Sequence, residues 1–227
     1  MDGCGVKWAR SVAGALLMAC AAFAPATASA HPHVFVTTSV QFVGDGKGDL
    51  TAIRTGWVFD ELFSASLLMD FDENADGRLD ESELKTIAGT VLGSARDYDF
   101  FTFLKQGRAS LALSPPDLFH AVMQNGHLVI MTEMRPKHHV ALTDGPLTLS
   151  IYDPSYYVSF DVTSDRQIRL TDVPGSCHTM LNADEPKSDG ATDWLNQIAG
   201  LGKSETIPAD GINYAELLST KVQLTCS

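Results

Sequence analysis

The sequence has little positive charge. It contains 16 Lys and Arg against 28 Asp and Glu, which gives a net charge of −12 at pH 7 with histidine neutral. Nucleic acids and anionic membrane surfaces attract basic proteins, so both are poor partners for this chain, whereas a cation is a natural one. The charge balance therefore predicts metal ions, and no nucleic acid, among the partners.

Catalytic motifs and long apolar runs are also missing. The sequence contains no Gly-x-Ser-x-Gly, no His-Glu-x-x-His and no glycine-rich phosphate loop, so nothing in it indicates an enzyme. Beyond residue 30, no apolar stretch reaches the roughly 18 residues that a transmembrane helix needs. We therefore expect a protein that is not an enzyme and has no membrane span after its leader is removed.

Residues 1–30 have the pattern of a secretory signal peptide. Two basic residues precede an apolar run from Val12 to Phe23, and the small residues of Ala28-Ser29-Ala30 are typical of a cleavage site. Cleavage there would release residues 31–227 into the periplasm as one mature domain. Lipoprotein processing at Cys20 is the alternative.

Cysteine is scarce in the expected mature chain. Of the four cysteines in the sequence, only Cys177 and Cys226 lie beyond the leader. In an oxidising compartment, two cysteines without Cys-x-x-Cys spacing favour one structural disulfide over a redox pair. This bond would tie the end of the chain to the body and, by closing about 50 residues, would contribute roughly 4 kcal/mol in the chain-entropy account.

The most specific pattern that is present is an acidic stretch from Asp72 to Glu83. It fits the calcium loop of an EF-hand, in which oxygen ligands recur at fixed positions and a glycine, here Gly77, permits a sharp turn. Apolar residues at helical spacing flank the loop, so residues 60–95 are expected to form a helix-loop-helix unit. The Ca²⁺ ligands would be Asp72, Asn74, Asp76, Arg78 through its carbonyl, Asp80 and Glu83.

The same loop has a second interpretation. Asp80, Glu81 and Glu83 would also favour the N-terminus of a helix that binds no metal. EF-hands usually occur in pairs, and no second loop of this kind occurs in the sequence. We therefore expect a structural calcium site of weak affinity, on the order of 10 µM to 1 mM, as in extracellular modules.

The expected mature terminus is a second candidate site. Cleavage after Ala30 would give His31 a free amine, and its imidazole would chelate the same metal, with His33 on the same face of the first strand. Three nitrogen ligands suit Zn²⁺, Ni²⁺, Co²⁺ or Cu²⁺. Pro32 has no amide hydrogen, so a site would need a ligand from elsewhere. The competing interpretation is that His31 and His33 are ordinary residues at a frayed terminus.

Alternating apolar residues predict a series of antiparallel strands beyond the helix pair. Asn125-Gly126 and Asp153-Pro154 are expected as turns, and the aromatic residues between 98 and 103 as core. The fold class that follows is α+β, a single antiparallel β-rich domain with an inserted EF-hand helix-loop-helix. Strands are expected at 34–43, 50–59, 118–123, 127–135, 147–152, 156–162, 167–171, 177–181 and 215–226, a helix at 192–201, and an exposed turn at His138-His139.

Several short motifs, taken together, are similar to those of one bacterial periplasmic family. They are His31-Pro32-His33-Val34-Phe35, Trp57-Val58-Phe59-Asp60-Glu61 followed by Phe63-Ser64, the calcium-like loop, the segment from Tyr152 to Tyr157, and the closing Cys226. The chain resembles a family catalogued as a domain of unknown function, whose members are often described as the periplasmic component of an uncharacterised ABC-type transport system.

The resemblance implies an exported accessory of a membrane metal transporter of the nickel, cobalt or zinc kind. A rival function is a calcium-stabilised envelope interaction protein with no transition-metal role. A third is an oxidative copper enzyme built on the His31 amine and imidazole.

Overall fold

The computed structural model describes residues 33–183, 193–197 and 213–227. The expected leader, His31, the polar loop after β10 and half of the helix expected at 192–201 lie outside these residues, and the described part of that helix, 193–197, is helical. The strands are β1 Val34–Gly44, β2 Leu50–Phe59, β3 Thr102–Gln106, β4 Ala109–Leu111, β5 Leu118–Gln124, β6 His127–Met134, β7 Leu147–Ile151, β8 Val158–Asp161, β9 Ile168–Thr171, β10 His178–Ala183 and β11 Thr220–Thr225. The two longer helices are α1 Glu61–Phe71 and α2 Glu81–Ala95.

The first sheet has the order β5-β6-β2-β1-β8. β9 pairs with the same edge of β1 as β8 does, but farther along the strand: β8 pairs with residues 34–37 of β1 and β9 with residues 40–43. The centre of the sheet is the antiparallel hairpin of β1 and β2, in which inward and outward residues alternate along β1 as expected. A second hairpin joins β5 to β6 through Asn125 and Gly126, whose φ angles of 53° and 84° are those of a tight turn that glycine and asparagine tolerate.

The second sheet has the order β10-β11-β7-β3-β4 and its strands pair antiparallel. The disulfide between Cys177 and Cys226 is confirmed, with Cα atoms 4.0 Å apart, and it joins the start of β10 to the end of β11. The strand expected at 215–226 is shorter than predicted. A helical turn, Tyr214–Leu218, precedes β11, and the side chain of Asn213 caps it by accepting a hydrogen bond from the Glu216 N–H.

The expectation of antiparallel strands in series is wrong at one place. β8 and β9 run parallel to β1, with Val34 opposite Val158 and Val40 opposite Ile168. The segment at Asp153 is therefore not a hairpin turn, since it carries the chain from β7 in the second sheet to β8 in the first. Which strands pair, and in which direction, is set by tertiary packing, which alternation along one segment does not reveal.

Trp57 lies near the centre of the hydrophobic core. It is fully buried, and its ring contacts those of Phe101, Phe119 and Phe160 at centroid distances of 6.1, 5.9 and 5.3 Å. Phe100 and Phe101 are buried as predicted, whereas Tyr98 is 40% exposed and Phe103 is half-buried, so only part of this aromatic segment belongs to the core.

The helix pair is inserted between β2 and β3, and α2 packs against β5. At this level the α+β prediction is confirmed, because the described residues are mostly β-sheet with a few helices. Among them no helix has both the length and the apolar character needed to cross a bilayer.

Candidate functional site

The first helix begins at a carboxylate that holds it to the first sheet. Asp60 is the N-cap of α1, and its Oδ1 accepts a 2.8 Å hydrogen bond from the backbone N–H of Phe63. Its Oδ2 accepts another, at 2.9 Å, from the N–H of Phe35 in β1. One side chain therefore caps the helix and fixes its start against the sheet.

The loop between α1 and α2 is folded around its own side-chain oxygens. Asp72 accepts hydrogen bonds from the backbone N–H groups of Gly77 at 2.9 Å and Asp76 at 3.2 Å. Asn74 Oδ1 accepts from the Asp76 N–H at 2.8 Å, and Asp76 Oδ1 from the Arg78 N–H at 2.9 Å. Gly77 has φ +78°, a backbone conformation in which a side chain would be strained. The oxygens predicted at loop positions 1, 3 and 5 thus all turn back toward the loop backbone.

The end of the loop is a helix cap. Asp80 Oδ1 accepts from the N–H groups of Ser82 and Glu83 at 2.8 and 3.0 Å and from the Ser82 hydroxyl at 2.8 Å. The Glu83 N–H, followed by the Ser82 hydroxyl, lowers the pKa of Asp80. The Glu83 carboxylate, 5% exposed, accepts from the N–H groups of Glu73 at 2.9 Å and Asp80 at 2.8 Å. Asp80 and Glu83 therefore form a capping box, the arrangement that a metal-free acidic helix start requires.

The donor set of this loop suits calcium, but its carboxylates are not gathered around one point. No group of three or more His, Cys, Asp or Glu side chains within residues 33–183, 193–197 and 213–227 is arranged to hold a metal ion. The hydrogen bonds from the backbone leave acceptor positions on the loop carboxylates unused, because each ionised carboxylate has about four such positions. Oxygen donors, a glycine turn and remaining acceptor capacity fit Ca²⁺, while binding would require the side chains to converge.

The histidine candidates are spread over the molecule. His31 lies outside the described residues, and the half-buried His33 places its ring 4.8 Å from that of Tyr157 while its backbone N–H donates to the Tyr157 carbonyl at 2.9 Å. His127 Nδ1 lies 2.7 Å from the Phe59 carbonyl oxygen. Three other histidines that could supply a further ligand, His120, His138 and His139, are exposed, and His139 contacts Asp49.

His138 and His139 are exposed as predicted, although they lie in the long connection between β6 and β7 and not in a hairpin turn. The structure therefore does not bring any of these histidines to His33 as a common ligand set within the described residues.

A buried carboxylate at Asp153 was not singled out from the sequence. It is 3% exposed and accepts hydrogen bonds from the backbone N–H groups of Ser155, Tyr157 and Val158 at 2.8 to 3.1 Å, and from the Ser155 hydroxyl. These bonds shape the crossing between the two sheets. The Asp153-Pro154 pair indicated a turn in the sequence, but the burial of the Asp153 carboxylate depends on the packing of both sheets.

Two cavities were also not foreseen. One of about 300 Å³ lies between α2 and the first sheet, with Val91, Trp57 and Phe160 in its wall. The other, of about 800 Å³, has a mixed wall in which Arg96, Lys105 and Tyr152 lie beside apolar residues such as Leu104 and Met134. Their walls combine residues from distant parts of the chain, which no local pattern in the sequence could assemble.

Two proteins described as uncharacterized are similar to parts of this chain. An uncharacterized protein of Haemophilus influenzae is 23% identical over 161 residues, covering 69% of this chain and 76% of that protein. An uncharacterized 15.5 kDa protein encoded in the trpE 3' region of Spirochaeta aurantia is 24% identical over 108 residues, covering 47% of this chain and 76% of that protein. Residues 16–226 match the family described as "Protein of unknown function (DUF1007)", and the chain therefore belongs to that family.

Proposed function

We propose that this chain is an exported periplasmic metal-binding protein that holds one Ca²⁺ in the loop from Asp72 to Glu83. The observation that carries this proposal is the loop backbone. The turn at Gly77, with φ +78°, draws the oxygens of Asp72, Asn74 and Asp76 inward over three successive N–H groups. This is the local conformation in which alternate short oxygen-bearing side chains can face one cation.

Calcium in this loop has a structural role. Asp72 directly follows α1, whereas Glu83 lies in the first turn of α2, so a cation bound by both carboxylates joins the two helices. The cation also offsets the repulsion among the acidic residues of the loop. Because it binds the folded loop and not the unfolded chain, calcium stabilises the native state by mass action.

A calcium titration with matched variants tests the site. At a calcium concentration about 100-fold above the dissociation constant, the free energy of unfolding should rise by about 2.7 kcal/mol and the Tm by roughly 5–10 °C. Asp76→Ala should abolish this rise. Glu81→Ala removes the same charge from a loop position that supplies no ligand, and in this variant calcium should still raise the Tm. The proposal fails if 10 mM calcium, well above the expected affinity, leaves the wild-type Tm unchanged, or if both variants respond alike.

We further propose that the protein serves as an accessory of a transition-metal transporter, with His31 and His33 as nitrogen ligands for Ni²⁺, Co²⁺, Zn²⁺ or Cu²⁺. Support comes from the residues alone, namely the two histidines at the expected mature terminus and the acidic charge of the chain. This second proposal is tested by titrating each metal into the mature protein, exported and cleaved after Ala30, and into its His31→Ala/His33→Ala variant. The exposed pair His138→Ala/His139→Ala is the control. A wild-type dissociation constant weaker than about 0.1 mM for all four metals would contradict it.

The packing of His33 favours a second candidate function, a calcium-stabilised envelope protein that binds no transition metal. His33 is half-buried against the ring of Tyr157, so a purely structural role accounts for it. In that case the Tm still rises with calcium, and the His31→Ala/His33→Ala variant shows the same affinity for each transition metal as the wild type.

A further inference from the structure

The larger cavity, of about 800 Å³, lies at the edge of the second sheet. Its wall is formed by the segment that follows α2, by β3 and the edge strand β4, and by the connection from β4 to β5. Of the described residues that line it, none belongs to the loop from Asp72 to Glu83, and His33 is not among them. A cavity of this volume is of the size that holds small organic molecules.

The wall of the larger cavity has more basic than acidic side chains. The bases are Arg96, Lys105 and Lys137, and the acids are Asp99 and Glu216. In the chain as a whole the balance is the reverse, with 28 acidic and 16 basic residues. Basic side chains gathered around a concave site raise the local concentration of anions, even where the net charge of the protein is negative.

Two of the three bases have no ion pair. Lys105 Nζ contacts Glu216 Oε1, so these two charges neutralise each other. Arg96 and Lys137 have no carboxylate partner in the part of the chain that the structure describes, and both side chains are exposed. Both are therefore accessible to an anion that enters the cavity.

The backbone of the wall is strained in the segment that follows α2. Asp99 and Phe100 have φ angles of 51° and 52°, and the next residue, Phe101, has 57°. Residues with a side chain rarely adopt this left-handed conformation, and three in succession are unfavourable. Strained backbone is concentrated at ligand-binding and active sites. The strain therefore supports a binding role for the cavity that Asp99 and Phe100 line.

The rest of the wall is largely apolar. Six large apolar side chains contribute to it, namely Phe100, Phe103, Leu104, Leu111, Leu113 and Met134. An inorganic anion would make no use of this surface, whereas an organic molecule would bury its own apolar surface against it. The wall as a whole thus suits a molecule with an anionic group and an apolar body.

We propose that the larger cavity binds a small organic carboxylate, with its anionic group held by Arg96 and Lys137 and its apolar body against the apolar side chains. A guanidinium offers two parallel N–H donors that match the two oxygens of a carboxylate. The two unpaired bases exceed Asp99, the wall carboxylate without an ion pair, by one charge. This balance favours a single carboxylate over a phosphate group, which carries close to two charges, because the acidic protein repels the second.

Two probes of nearly the same shape test this inference. Naphthalene-2-carboxylate is ionised at pH 7, and naphthalene-2-carboxamide is its neutral counterpart. Binding of each to the mature protein, residues 31–227, is measured by isothermal titration calorimetry. The carboxylate should bind roughly tenfold more tightly than the carboxamide, which is the low end for hydrogen bonds to a charged group because both bases are exposed.

A pair of matched double variants tests the role of the two bases. Arg96→Gln/Lys137→Gln removes both unpaired charges and should equalise the affinities for the two probes. Lys85→Gln/Arg166→Gln makes the same change in net charge at exposed positions outside the wall, so the preference for the carboxylate should remain. All four side chains are exposed in the wild type, so we expect both variants to fold.

A second pair tests the location. Ala112 is an exposed residue of the wall, and Ala112→Trp should fill the cavity and abolish binding of both probes. Ala109→Trp adds the same ring at an exposed position of β4 outside the wall and should change neither affinity.

Three results would overturn the proposal. The first is that neither probe binds more tightly than about 1 mM, the weakest affinity expected for ligands of this size in a fitted cavity. The second is a carboxylate preference that is absent in the wild type or persists in Arg96→Gln/Lys137→Gln, since these bases would then not hold the anion. The third is binding that survives Ala112→Trp, because the probes would then occupy another site.

Discussion

Glu83 accepts a 2.9 Å hydrogen bond from the backbone N–H of Glu73, so a residue in the first turn of α2 holds the second residue of the loop that precedes the helix. The same carboxylate accepts from the N–H of Asp80 at 2.8 Å. A single buried side chain thus closes the loop and caps α2 through hydrogen bonds that need no bound metal.

This relationship predicts an effect that does not depend on calcium. Glu83→Gln keeps the shape of the side chain but replaces one acceptor oxygen with a donor, which should lower the free energy of unfolding by about 1 kcal/mol in the presence of EGTA. Urea denaturation measures it. Glu81→Gln, at an exposed position two residues earlier, should stay within about 0.5 kcal/mol of the wild type. Equal effects of the two substitutions would show that the contacts of Glu83 do not stabilise the fold.

The turn at Asp153 should be more sensitive. Asp153→Asn places an NH₂ group where a buried carboxylate now faces three backbone N–H groups, so we expect a loss of roughly 2–4 kcal/mol in the free energy of unfolding. Asp161→Asn changes the same charge at the exposed end of β8 and is the control. A loss below about 0.5 kcal/mol for Asp153→Asn would exclude this carboxylate as the main support of the crossing between the sheets.

The disulfide should stabilise the second sheet. Replacing both Cys177 and Cys226 with Ser removes the link between β10 and β11, and the free energy of unfolding should fall by roughly 2–4 kcal/mol. Urea denaturation with and without a reductant measures the change. The reductant should weaken the wild type and leave the double variant unaffected; a wild type that is insensitive to reductant would contradict the prediction.

Alkaline pH should destabilise the protein through Tyr152. Burial, followed by the nearby Glu216 charge, raises the pKa of Tyr152 to about 12. A tyrosine in the unfolded chain has a pKa of about 10, so the folded state binds the proton more tightly and its stabilising effect is lost as pH rises from about 10 through 12. The Tm should fall over this range, and less steeply in Tyr152→Phe.

Tyr98 provides the comparison for that experiment, since it is 40% exposed. Tyr98→Phe removes the same hydroxyl from an exposed tyrosine and serves as the matched substitution control. In Tyr152→Phe the Tm should still fall somewhat as the pH rises, because burial and the nearby Asp161 also raise the pKa of Tyr156. If the slope is identical in the wild type and in Tyr152→Phe, ionisation of Tyr152 does not contribute to the alkaline transition.

Features that depend on neighbouring residues were predictable from the sequence. Alternation along β1 predicted its buried face, and Asn125-Gly126 predicted the turn between β5 and β6, because both reflect local backbone geometry. The two helices around the acidic loop followed from apolar spacing, and the disulfide from the only two cysteines beyond the expected leader.

The candidate metal ligands show what residue spacing alone cannot decide. The spacing of Asp72, Asn74, Asp76 and Gly77 predicted a sharp turn with side-chain oxygens that converge on Ca²⁺. The turn is present, and these oxygens accept hydrogen bonds from the backbone N–H groups of the loop. The same spacing could not decide between a cation and the backbone as the partner of Asp80 and Glu83, because a calcium loop and a capping box use the same acidic residues. Calcium binding at this loop stays a prediction.

The amino-acid order by itself predicted most of the strands, the tight turn at Asn125-Gly126, the helix pair and the acidic loop, since each depends on residues within a few positions of one another. It did not predict β3 or β4, and it placed a strand where the helical turn Tyr214–Leu218 lies. Tertiary structure alone decided that β8 and β9 run parallel to β1, that Asp153 is buried, and that Trp57 lies in the wall of a cavity beneath α2. These features join residues tens of positions apart, and such pairings are selected by the burial of apolar surface shared between both sheets and the helix.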